Sequence, residues 1–104
     1  MKICKIRDIK EGVAQAFRIS EQLEIFIVRR GKQNNAYQNR CPHTGAPLNW
    51  LPDQFLDASG EYIQCTGHDA MFRIQDGLCI SGPCHSQVLT AIDVVVIDGD
   101  LIYQ

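Results

Sequence analysis

CPHTGAPL, residues 41–48, sets Cys41 and His43 two positions apart among residues that resist regular structure. Pro42, Gly45 and Pro47 break any strand or helix pattern, so the stretch reads as a loop. CTGHDAMF, residues 65–72, repeats the pairing with one more residue between Cys65 and His68. Thiolate sulfur and imidazole nitrogen are soft or borderline metal donors. Cys41, His43, Cys65 and His68 therefore form a candidate set of four ligands, split evenly over two loops.

Working outward, the chain of 104 residues has the length of one domain, residues 1–104, with one modest core. Hydrophobic residues make up 45% and charged residues 21%, which is ordinary for a globular protein. No apolar run approaches the ~18 residues of a membrane span. The opening MKICKIRDIKEG lacks the apolar core of a signal peptide. The expected compartment is the cytoplasm, with no membrane partner. The net charge of -2 offers no basic footprint for nucleic acid. Arg29, Arg30 and Lys32 form one local basic cluster, read as a solvated hairpin tip. The five cysteines are Cys4, Cys41, Cys65, Cys79 and Cys84. An odd number without an export signal argues for metal binding over a disulfide framework.

The flanks of the two loops read as short strands. Residues 2–6 alternate, 13–19 and 23–30 pair across a turn at 20–22, and EIFIVRR is rich in β-branched and aromatic residues. Residues 31–35 read as a polar turn and 36–38 as its return strand. Residues 40–52 are loop, with a short helical turn expected near 50–55, and 57–60 carry turn chemistry. Residues 62–64 lead as a strand into Cys65. Residues 70–74 and 78–80 bracket a turn at Gln75-Asp76-Gly77, and Ser81-Gly82-Pro83 is a further turn. TAIDVVVI, 90–97, and Leu101-Ile102-Tyr103 flank Asp98-Gly99-Asp100 as a hairpin. The class is all-β.

Three centres suit the ligand set. A structural Zn(Cys2His2) interaction module takes these donors in a tetrahedron, although zinc modules tend to pair like with like on each knuckle. A cluster on Cys41, Cys65, Cys79 and Cys84 leaves both histidines unexplained. A [2Fe–2S] centre in which two His replace two Cys on one iron explains the mixed pairing, because each loop then spans both irons.

The two boxes resemble those of the Rieske [2Fe–2S] ferredoxin family. GLCISGPC, 77–84, is similar to its third loop with a Gly-Pro turn, and VLTAIDVVVIDGDLIY resembles its terminal hairpin. The gap of 21 residues between His43 and Cys65 is longer than in many small members, which assigns 49–60 to an extra surface excursion. The resemblance implies a small antiparallel Rieske-type β-sandwich with a cluster-binding subdomain inserted at about 39–84. It implies one Rieske-type [2Fe–2S] cluster, with Cys41 and Cys65 on one iron and His43 and His68 on the other. It also implies a one-electron carrier, not an enzyme, that docks transiently with a flavin-dependent reductase and a terminal oxygenase or other redox enzyme. The exposed imidazole edges of His43 and His68 are its expected electron exit. A small accessory subunit like that of assimilatory nitrite reductase is the alternative within the same chemistry.

Neighbouring residues grade the potential. High-potential members carry an extra cysteine in each box, joined as a disulfide; here those positions are Ala46 and Gly67. They also carry a serine and a tyrosine whose hydroxyls bond cluster sulfur; here those are Ala70 and Phe72. Both departures imply the low end of the Rieske range. Cys79 and Cys84 read as buried structural thiols, Cys4 as a core residue, His85 and Asp69 as solvated. Trp50, Leu51 and Phe55 allow two readings, an apolar docking patch or the cover of a small core.

Overall fold

Four consecutive apolar residues, Ile25, Phe26, Ile27 and Val28, are all buried, at 1% exposure or less. Side chains of a strand alternate between its faces, so an unbroken buried run needs a core on each side. The computed structural model, which describes residues 1–31, 33–42, 45–49, 53–65, 70–84 and 86–104, shows two such cores. Phe26 and Val28 enter one with Tyr37, Phe55, Ile63 and Phe72. Ile25 and Ile27 enter the other with Ile9, Ala36 and Leu101.

Among the described residues, nine strands build three antiparallel sheets of three strands each. The central sheet joins β2 (Val13–Ser20), β3 (Leu23–Arg30) and β4 (Gln33–Gln38), with β3 in the middle. The second orders β1 (Lys2–Lys5), β9 (Asp100–Tyr103) and β8 (Val94–Ile97) as β1-β9-β8. The third is β5 (Tyr62–Cys65), β6 (Ala70–Arg73) and β7 (Cys79–Ser81), inserted in the chain between β4 and β8. The residues of the second sheet pack on the Ile25–Ile27 face and those of the third on the Phe26–Val28 face.

Several elements differ from the sequence expectation. β4 begins at Gln33, because Arg30↔Gln33 and Arg29↔Asn34 pair with β3 and override the turn-like composition of QNN. TAIDVVVI divides at Asp93. Its first part bridges the edge of β4, where the Gln38 N–H donates to the Thr90 carbonyl at 2.9 Å and the Ile92 N–H to that of Ala36 at 2.9 Å. Only Val94–Ile97 joins the second sheet. Its hairpin closes through Asp98 and Gly99 alone, at φ 51 and 79, the two left-handed positions that a tight turn needs. A 3-10 turn, Ile6–Asp8, follows β1. Arg29 is not part of a solvated tip: its guanidinium donates to the Ile6 and Ile9 carbonyls at 3.2 and 2.7 Å and fastens that turn. Residues 53–55 are not helical; 50–52, Lys32 and the remainder of the expected helical turn lie outside the described residues.

Tyr37 locks the third sheet to the central one. Its hydroxyl donates to the Ile74 carbonyl at 2.6 Å, and its ring fills the space beside Gly77, where a Cβ would stand 2.9 Å from it. Burial, then the negative Asp76, pushes the phenol up to about 12 from its ordinary 10.0. The folded state holds this proton more tightly than the unfolded chain, so the contribution is complete below pH 10 and is lost as pH rises toward about 12. Tyr37→Phe is expected to lower stability by about 1 kcal/mol at neutral pH. It should also flatten the decline between pH 10 and about 12, as read from urea unfolding across pH.

Candidate metal centre

The chain leaves β4 at Gln38 and enters the first ligand stretch through Asn39, a buried polar residue. The Asn39 amide makes three contacts that fix the loop at its base. Its Nδ2 donates to Glu24 Oε1 at 2.8 Å and to Asn49 Oδ1 at 2.9 Å, and its Oδ1 accepts from the Leu48 N–H at 2.8 Å. One side chain thus ties both ends of the 41–48 stretch to β3. Within the loop, the Cys41 N–H donates to the Ala46 carbonyl and the Gly45 N–H to the Cys41 carbonyl, each at 2.7 Å. Gly45 takes φ 78, and a Cβ there would press on the Arg40 guanidinium at 3.3 Å.

The second stretch is set by strand pairing. Cys65 ends β5 and faces Ala70, the first residue of β6. The connecting residues 66–69, with Gly67, His68 and Asp69, lie outside the described residues, as do His43, Trp50, Leu51 and His85. Cys41 and Cys65 come from separate loops, yet both are buried, at 1% and 2% exposure, in the same cluster of side chains. A cleft of about 360 Å³, lined by Gln38, Arg40, Cys41, Pro42, Gly45, Val88 and Thr90, opens beside the first.

The third stretch closes over the second. Gly82, at φ 97, lies so near β6 that a Cβ would stand 2.8 Å from the Ala70 Cα. Only a glycine fits both that conformation and that approach. Ala70 and Phe72 are fully buried, and neither brings a hydroxyl to this region. Cys79 and Cys84 are buried, with their Sγ atoms 3.0 Å apart, and the Cys79 thiol donates to the Ser81 carbonyl at 3.2 Å. Burial, reinforced by Cys79, pushes the Cys84 thiol up to about 12 from 9.0. Cys4 is half-buried and packs against the second core, its thiol raised by burial and then by Asp8.

Of Trp50, Leu51 and Phe55, for which docking patch and core were both open, Phe55 belongs to the core, and the other two lie outside the described residues. Phe55 is fully buried and stacks on Phe26 with centroids 4.4 Å apart and planes 10° apart. The sequence signal for Asn39 was weak, a single Asn before a loop. Its role rests on Glu24 and Asn49, distant in the chain, which no local pattern brings together.

The donor chemistry fits an iron–sulfur group: thiol sulfur from two separate loops, withdrawn from water into one apolar cluster. Asn39→Ala leaves the buried Leu48 N–H without its acceptor, at a cost of about 1–3 kcal/mol. The expected outcome is a lower urea midpoint and faster loss of bound metal to a chelator than in the unaltered protein. An unchanged rate of metal loss would separate Asn39 from the ligand loop.

Comparisons with known proteins agree with this geometry. The chain is 27% identical over 101 residues to Ferredoxin CarAc of Metapseudomonas resinovorans, covering 97% of this chain and 89% of that one. The ferredoxin of carbazole 1,9a-dioxygenase from Nocardioides aromaticivorans IC177 superposes with a TM-score of 0.79 at 27% identity, over 99% of this chain and 94% of that one. A chain from the complex of reduced oxygenase and oxidized ferredoxin in carbazole 1,9a-dioxygenase gives a TM-score of 0.80 at 24% identity, with both chains covered completely. Residues 1–95 match the model of the Rieske [2Fe-2S] domain, and the chain belongs to that family.

Proposed function

We propose that this protein is a cytoplasmic one-electron carrier, the ferredoxin component of an oxidoreductase system. In that system it receives electrons from a flavin-dependent reductase and delivers them to a terminal oxygenase. The observation that carries this reading is the burial of Cys41 and Cys65, from two loops, in one apolar cluster. The relative named as the ferredoxin of carbazole 1,9a-dioxygenase supports the class of partner. Among the described residues no helix is long and apolar enough to cross a membrane.

Residues 1–104 act as one domain, in which about 39–84 is the cluster-binding subdomain. Cys41 and Cys65 hold one iron of a Rieske-type [2Fe–2S] cluster, and His43 and His68 hold the other. When bound, that group supplies reversible one-electron redox chemistry near the neutral charge that two imidazoles and two thiolates confer. The protein's part is to hold the sulfur donors in place and keep water from them. The Asn39 clamp fixes the first loop and the Cys65↔Ala70 pairing sets the second.

The purified protein is expected to be red-brown, with equal iron and acid-labile sulfide and a low average g value on reduction. A colourless protein with one zinc would overturn the proposal. Cys41→Ser, His43→Ala, Cys65→Ser and His68→Ala are each expected to abolish or grossly alter that spectrum; wild-type spectra in any of them would remove that residue from the ligand set.

The potential follows from the side chains beside the cysteines. Hydrogen bonds to sulfur stabilise the more negative, reduced state and raise the potential. Ala70 and Phe72 provide no hydroxyl for this. Voltammetry is expected to give a midpoint nearer to about −150 mV than to roughly +300 mV, the ends of the Rieske range. A midpoint well above zero would contradict the assignment to the low-potential group.

A further inference from the structure

Two buried thiols have no place in the ligand set. Cys79 and Cys84 frame the Ser81-Gly82-Pro83 turn, each at 1% exposure, with sulfur atoms 3.0 Å apart. That is about 1 Å beyond the ~2.05 Å of a disulfide bond. The backbone already holds the two together: the Cys79 N–H donates to the Gln87 carbonyl, the Ser86 N–H to that of Cys79, and the Gln87 N–H to that of Cys84. The turn also carries stored strain. Ser86 sits at φ 75, a region costly for a residue with a side chain. Local opening of the turn would relieve that strain and bring solvent to the thiols.

We propose that Cys79 and Cys84 are a covalent modification site, a dithiol that hydrogen peroxide converts to an intramolecular disulfide closing the loop beside the second ligand stretch. Peroxide oxidises one thiol to a sulfenic acid and leaves one water. The sulfur of the second thiol then attacks the sulfenic sulfur and expels another water. In total two S–H bonds and the peroxide O–O bond are exchanged for one S–S bond and two waters. The thiol pair gives up two electrons and the peroxide accepts them. Reduction by a thiol reverses the modification.

The sequence makes this site readable apart from the ligand assignment. Arg73 is the last lysine or arginine, so trypsin releases 74–104 as one peptide that contains Cys79 and Cys84 and neither Cys41 nor Cys65. The experiment exposes the holoprotein to graded hydrogen peroxide without oxygen, alkylates it with iodoacetamide in denaturant, digests it and weighs that peptide. The expected result is loss of both alkylations together, in a species two hydrogens lighter than the dithiol peptide. Dithiothreitol added before alkylation should restore both, and the change should precede loss of visible absorption. A peptide that stays doubly alkylated until the absorption is lost, or that gains oxygen instead, would overturn the proposal. In Cys84→Ala the same dose should leave Cys79 alkylatable; equal loss of Cys79 there would show solitary oxidation and refute the pairing.

Discussion

Burial of β3 on both faces is the constraint on which the rest of the structure depends. Ile25 and Ile27 point one way, Phe26 and Val28 the other, and none of the four is satisfied by a single sheet. Each buried side chain contributes about 1.5–3 kcal/mol only if apolar surface covers it. The terminal strands β1, β8 and β9 cover one face. The inserted segment covers the other, so the ligand loops are part of the core that stabilises β3. Cys41 and Cys65 are therefore built into the packing on that face.

The polar contacts follow the same economy. Glu24, at the start of β3, accepts from Asn39 and from Arg18. Asn39 then passes that anchor to Leu48 and Asn49 at the far end of the first ligand loop. At the second stretch, the β5–β6 ladder brings Cys65 opposite Ala70. The described part of the first stretch is thus held by a side-chain network, and the flanks of the second by backbone pairing. Substitutions near Asn39 disturb the first loop through a single amide, whereas disturbing the second requires breaking the ladder.

Much of this was legible in the sequence because it is local. The strand readings of 13–19 and 23–30 each carry their own signal, and each became the expected strand. Cysteine and histidine spacing, with the flanking Gly and Pro, pointed to the family whose domain model spans residues 1–95. What escaped was decided by contacts remote in sequence. The strand character of QNN comes from pairing with Arg29 and Arg30, not from its own propensity. The division of TAIDVVVI at Asp93 reflects competition between two sheets for one segment. Arg29 looked solvated until the carbonyls of Ile6 and Ile9 came within reach of it.

The long gap between the ligand stretches has a structural explanation in its described part. β2 is an edge strand of the central sheet, and exposed edges invite pairing with other chains. Asp53 Oδ1 accepts the Ala16 N–H at 2.8 Å, engaging one donor on that edge. Two residues on, Phe55 inserts into the core against Phe26. Leu56 then bridges Ile63, returning the chain to β5. Asp53 holds φ 58, an unfavourable value for a non-glycine residue, and its carboxylate contact to β2 helps to offset that strain. The extra length thus joins edge protection to core filling within a few residues. Sequence reading assigned the segment to the surface from its extra length; Asp53 is exposed as that implies, whereas Phe55 is buried in the core.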